Sequence, residues 1–270
     1  MDRCLLKNII ILILVLVNGF LLGSLIMRHT SATEAQRQSE EQLVALFAAD
    51  GIALSPDSIS HETPPSALSL SRSLEREQAA AAFFLGDGME QTDLGGGSYT
   101  YSSSEGAARF HPNGSFDIVG SLATGEEAEQ SCREFCKTFS YEDPVFSLNE
   151  DGSGTVTVVC LWDQYPVFNC TVTFTFDGGT LLTVSGTLLP ENGTAVSSAQ
   201  EPLSASAALT TFQQARRESY MVVSAITDLY LCYELQGSTA SALSLSPAWC
   251  IVTDTANHYV NCMTGTISSS

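Results

Sequence analysis

The chain has 270 residues and carries 30 acidic against 11 basic side chains, a formal net charge of −19. A surface so acidic repels nucleic-acid phosphates and anionic lipid headgroups, which excludes a DNA or RNA partner. A hydrophobic content of 44% is too high for a chain disordered throughout and allows a sizeable core.

Residues 1–8 form a short N-terminus with Arg3 and Lys7, and residues 9–27 form an uncharged, mostly apolar run. At about 1.5 Å per residue this run is long enough to cross a hydrocarbon core of roughly 30 Å as a helix. The basic residues before it and the acidic bulk after it favour a cytoplasmic N-terminus, with the rest of the chain outside the cell membrane. A cleaved signal peptide is the competing reading, but its apolar core is shorter, and Thr30-Ser31-Ala32 directly after Arg28 is a poor cleavage site. Within the span, Gly19 and Gly23 form a G-x-x-x-G pair beside Asn18, with Leu22 and Ile26 on the same helical stripe. Small residues four apart admit a second helix at close range, and a buried amide seeks an interhelical hydrogen bond. Glycine is common in membrane spans, so a plain anchor is an equal reading of the same residues.

From Thr30 onward there are 29 acidic and 8 basic side chains, a net of −21, on about 240 residues. Residues 28–56 predict a juxtamembrane helix, its apolar side at Leu43, Val44, Leu46 and Phe47, stopped at Asp50-Gly51. Residues 57–97 read as a Ser/Pro-rich linker followed by a helical segment at Leu74 to Leu85, with Gly95-Gly96-Gly97 as a loop. A first α+β unit is assigned to residues 98–190. Within it Pro112-Asn113-Gly114 turns a hairpin, and a helix from Glu126 to Phe139 is capped by Thr124 with Glu127 three residues on. Two alternating strands follow at Thr155 to Leu161 and Cys170 to Phe176, then a third at Thr180 to Leu188. With DQYPV as the turn, a symmetric register sets Val156 against Phe174, Val158 against Val172 and Cys160 against Cys170. The last pair is then either a disulfide across the hairpin or two packed free thiols. A second unit is assigned to residues 191–270, with a helix at Ser204 to Arg217 and strands at Ile226 to Leu235, Ala248 to Thr253 and Tyr259 to Met263. Two helix-plus-antiparallel-sheet units make the class α+β.

No residues assemble into a catalytic, cofactor or metal motif. Beyond the Arg28-His29 flank of the span the histidines are His61, His111 and His258, none in a hydrolase or zinc frame, and Asp254 with His258 reads as a surface loop rather than a ligand pair. Seven cysteines follow the span, without a C-x-x-C pair, and read mostly as small buried hydrophobes. Trp162, Tyr165, Phe168, Trp249 and Tyr259 read as core aromatics, or, if exposed, as a contact patch.

Several phrases resemble a known family. Asn18 and the LL pair after it, the helix ending in DGIAL, the run Gln164, Tyr165, Pro166, Val167, Phe168 and Asn169, and Pro247, Ala248 and Trp249 followed by Tyr259 and Gly265 look like the YycI and YycH regulatory proteins of Gram-positive bacteria. The resemblance spans nearly the whole chain through short motifs. It implies PepSY-like α+β units outside the membrane and a regulator, not an enzyme. The implied partners are the membrane, a WalK-type sensor histidine kinase bound through the span, and a second membrane-anchored regulatory protein. An anchored inhibitor or chaperone of an extracellular peptidase or wall hydrolase is the alternative.

Overall fold

A computed structural model describes residues 34, 37–198, 200–237 and 243–269. The expected span at 9–27, with Asn18, Gly19, Leu22, Gly23 and Ile26, lies outside the described residues. No described helix is long and apolar enough to cross a membrane.

The architecture is α+β and rich in sheet. Helix α1 (37–49) leads into strand β1 (Ala53–Leu54), a 3-10 turn at Pro56–Ser58 and β2 (Leu68–Leu70). Then come α2 (Leu74–Leu85), β3 (Glu90–Gly95), β4 (Ser98–Ser102), β5 (Gly106–Phe110), β6 (Ser115–Thr124), α3 (Glu126–Phe139), β7 (Gly154–Trp162), β8 (Tyr165–Asp177) and β9 (Thr180–Thr187). The chain closes with β10 (Gly193–Ala195), α4 (Ala205–Ser219), β11 (Ala225–Gly237), β12 (Leu243–Thr253), β13 (Asn257–Asn261) and β14 (Ile267–Ser269).

The first unit is an antiparallel sheet in the order β7-β8-β9-β6-β5-β4-β3. Helices α2 and α3 cover one face. In α3 the buried residues Ala128, Cys132, Phe135, Cys136 and Phe139 recur at helical spacing. Phe135 sits at the centre, with Phe84, Phe139, Tyr141 and Phe174 within ring-contact range. Each such fully buried side chain contributes about 1.5–3 kcal/mol relative to exposure. The opposite face is polar, and Thr157 and Thr173 share a hydroxyl hydrogen bond across it at 2.9 Å.

The second unit is built on β11 and β12. Strand β13 pairs with β12, and β14 with β13; β2 flanks the other end of β12, β10 flanks β2, and β1 runs parallel beside the start of β11. Helices α1 and α4 form its core with Trp249, Ile251 and Val260. α4 begins where the sequence places it, because the Ser204 side chain accepts from the Ala207 amide. It ends at Ser219, two residues beyond Arg217, with Tyr220 in the left-handed region.

Three expectations are corrected. Helix 28–56 is not a separate juxtamembrane element: Leu43 and Phe47 of α1 are buried against Phe212 and Trp249, so the second unit includes the chain before α2 as well as the chain after β9. Residues 57–97 hold the expected helix, α2 at Leu74–Leu85, and the expected glycine turn, but the stretches on either side of the helix are not all linker, since they pair as β2 and β3. Thr124 does not cap α3, because it is held in β6 opposite Thr180, and the cap position falls to Gly125 without a side-chain bond.

Pro247 lies in the middle of β12, where a missing amide normally costs a ladder bond. Its carbonyl accepts from the Cys262 amide at 2.8 Å, so its nitrogen faces the same side. That side is where the flank of β12 passes from β2, ending at Leu245, to β13, starting at Ala248. The absent donor therefore falls in a gap between strands.

Candidate functional site at the joint between the units

The hairpin β7-β8 turns on two residues, Asp163 and Gln164, both with positive φ (47° and 78°), rather than on the five of DQYPV. Trp162 consequently faces Tyr165, Leu161 faces Pro166 and Cys160 faces Val167. Further down, Val159 faces Thr171, Val158 faces Val172 and Val156 faces Phe174. Phe168, Asn169 and Cys170 have no partner on β7 and bulge out of the ladder, so the expected pairing of Cys160 directly with Cys170 is replaced by an offset.

The bulge is what the second unit grips. Val167 makes a single parallel bridge with Tyr233 of β11. Asn169 then acts as a surrogate peptide group: its Nδ2 donates to the Leu235 carbonyl at 2.8 Å and its Oδ1 accepts from the Leu235 amide at 2.7 Å. Phe168 stacks on Tyr259 of β13, with centroids 3.7 Å apart and planes 8° from parallel. Tyr165 meets Tyr233 edge-on at 6.0 Å, and the Tyr233 hydroxyl donates to the Ser66 carbonyl at 3.2 Å. Burial, with Asp163 and Tyr165 nearby, pushes the Tyr233 phenol up to about 12, so it remains a donor at neutral pH.

Tyr165, Val167, Phe168, Asn169 and Tyr259 are thus brought together with Ala248, whereas Trp249 and Gly265 of the family phrases lie elsewhere. Ala248 lies beneath Tyr259 in a small cluster with Cys232 and Cys250. Trp249 is fully buried on the helix side and donates from Nε1 to the Leu203 carbonyl at 2.9 Å. Gly265 occupies the last turn at φ 70°, donating to the Asn261 carbonyl. Of the five watched aromatics, Trp249 and Tyr259 are buried, and Trp162, Tyr165 and Phe168 are half-buried. Tyr233 and Leu235 were not singled out by sequence, and the signal that locates the bulge is a slip in alternation: inward residues run Val167, then Cys170, Val172 and Phe174.

Beside the hairpin tip is a cleft of about 300 Å³ bordered by Arg76, Ser140, Cys160, Trp162, Asp163 and Glu191. Arg76 donates to Glu191 at 2.8 Å and to the Phe139 carbonyl at 3.1 Å, over the Phe139 ring, while its Nε is buried with no partner. Ser140 and Asp163 both have positive φ there.

The histidines stay apart. His61 lies 3.4 Å from Glu40, and His111 Nδ1 lies 3.3 Å from the Ser98 hydroxyl. His258 is not on a surface loop: it is 5% exposed on β13, tilted against Phe212, and both ring nitrogens are buried without a partner. Burial lowers its pKa. Asp254 instead accepts from Ser224, which holds its carboxyl below the usual range. Among the described residues no three His, Cys, Asp or Glu side chains gather as a metal-binding group.

No family model and no curated protein matches the chain. Two solved structures are similar at low identity: an uncharacterized protein from Eubacterium rectale (11% identity, TM-score 0.44, covering 77% of this chain and 81% of that one) and the YpeB C-terminal domain of Bacillus megaterium (10% identity, TM-score 0.32, covering 74% and 98%).

Proposed function

We propose that this chain is a membrane-anchored regulator of a cell-wall-sensing two-component histidine kinase, similar to YycI and YycH, with two PepSY-like units on the outer face. The span contacts the kinase through Asn18, Gly19, Leu22, Gly23 and Ile26, and the outer units contact a second membrane-anchored regulatory protein. The supporting observation is mechanical: α1, which follows the span in sequence, is part of the core of the second unit, and that unit is tied to the first through the Val167–Asn169 bulge. In this reading a displacement of the span is passed on through α1 to the joint. Regulation of the kinase further requires unequal affinity for its states. Photo-crosslinkers at Leu22 and Ile26 in native membranes are expected to capture a sensor kinase, and Gly19→Leu with Gly23→Leu to abolish the capture while insertion is retained. Capture of lipid alone counts against the reading.

A second reading, an anchored inhibitor or chaperone of an extracellular peptidase or wall hydrolase, draws on the turn after α4, where Tyr220 and Val222 are 89% and 85% exposed. Exposed apolar tips of this kind suit a protein partner. A chain starting at Thr33, without the span, then suffices for the phenotype.

A further inference from the structure

The β8 bulge is flanked by two thiols on the same buried face. From the pair Val159–Thr171, the next residue toward the tip on each strand is a cysteine, Cys160 on β7 and Cys170 on β8. Both are at most 1% exposed, both belong to the core of the first unit, and their thiols are neighbours there. The outer contacts of the pair are equally fixed: Cys160 Sγ lies 3.5 Å from the Ser140 carbonyl, and Cys170 Sγ lies 3.4 Å from the Thr187 carbonyl, which also accepts from the Tyr141 hydroxyl at 2.7 Å. The remaining described cysteines are placed differently. Cys132 and Cys136 lie one turn apart on α3, and Cys232 and Cys250 are out of register, Cys232 facing Ala248, to whose carbonyl it donates at 3.4 Å, and Cys250 facing Tyr230. Cys160 is not directly opposite Cys170, but both adjoin the Val159–Thr171 pair, where opposed Cα atoms are about 4.5–5.5 Å apart, and a disulfide tolerates Cα separations of about 4.4–6.8 Å.

We propose that Cys160 and Cys170 form a disulfide, a covalent clamp across the base of the bulge that holds Phe168 and Asn169 in the joint. The oxidant is a low-molecular-weight disulfide. The Cys160 thiolate attacks one of its sulfurs, forming a mixed disulfide and releasing one small thiolate. The Cys170 thiolate then attacks the Cys160 sulfur, which expels the second small thiolate and leaves the Cys160–Cys170 bond. Two electrons pass from the protein to the reagent, and the two protons lost by the cysteines go to the released thiolates. The cleft that Cys160 borders is the route of approach. The neighbouring Cys160 thiol and burial raise the Cys170 pKa well above the ordinary range, so closure is slow at neutral pH and quickens as pH rises. The bond depends on the fold of the hairpin and not on any partner, so it goes beyond the regulatory reading.

The test equilibrates the purified full chain in cystine/cysteine buffers, traps free thiols by acid and alkylation, and maps linked peptides by mass spectrometry. The expected result is a Cys160–Cys170 link as the principal disulfide. In the Cys170→Ala variant Cys160 then stalls as its cysteine adduct. Closing the clamp is also expected to slow hydrogen exchange at the Leu235 amide by about tenfold, because the bulge loses freedom to open. The proposal is overturned if both cysteines remain alkylated in the most oxidising buffer, or if the principal link joins other cysteines.

Discussion

At the scale of single residues, three side chains carry more than their size suggests. Asn169 replaces a strand with one amide, and its two hydrogen bonds to Leu235 are the polar link between the units at that point. Asn169→Leu leaves the Leu235 amide and carbonyl without that partner and is expected to cost about 1–2 kcal/mol in denaturant unfolding. Trp249 combines full burial with a hydrogen bond to Leu203. Trp249→Phe keeps most of the volume and loses about 1–3 kcal/mol, whereas Trp249→Ala opens a cavity and loses about 3–5 kcal/mol. His258 is held neutral by burial, its pKa below the ordinary 6.5. The unfolded chain then binds the proton more readily, so the stability His258 confers is complete above about pH 6.5 and is lost as pH falls below it. Thermal unfolding at pH 7.5 and pH 5 is expected to show a fall of a few degrees that His258→Phe removes.

At the scale of elements, sequence and structure agree where local chemistry decides and part where tertiary contacts do. The start of α4 was legible because Ser204 precedes an alanine-rich run, and the hairpin at Pro112-Asn113-Gly114 because Phe110 and Phe116 alternate inward on either side of it. The cap of α3 was misread because Thr124 has two uses for its backbone, and pairing with Thr180 wins. The register of β7 and β8 was legible from Val156 to Val159, where both strands alternate. It failed at Cys160 because the turn is made by Asp163 and Gln164 alone, and the surplus residues have to leave the ladder. What makes the bulge worth forming is β11, far along the chain, which no local pattern reveals. The candidate site was therefore legible as residues and not as a joint: QYPVFN and Tyr259 were marked, but Tyr233 and Leu235, which complete it, have no local signature.

At the scale of the molecule, the first unit is one uninterrupted stretch from α2 to β9, and the second is assembled from the chain on both sides of it. Phe47 lies wholly within the core that α4 completes, so Phe47→Ala is expected to cost about 3–5 kcal/mol and to raise hydrogen exchange in β11 to β13 more than in β4 to β6. The same division dictates an order of events during synthesis. Asp50 at the end of α1 reaches Gln213, Arg216 and Arg217 of α4, and its contact with Gln213 spans 163 residues. At roughly 5–20 residues per second, α1 waits about 8–30 s for α4 to emerge. The first unit has by then had all of its strands to hand, so it reaches its native state beside a helix whose Leu43 and Phe47 are still bare. For that interval the nascent chain presents a short apolar stripe, a surface that a holdase can cover until α4 arrives.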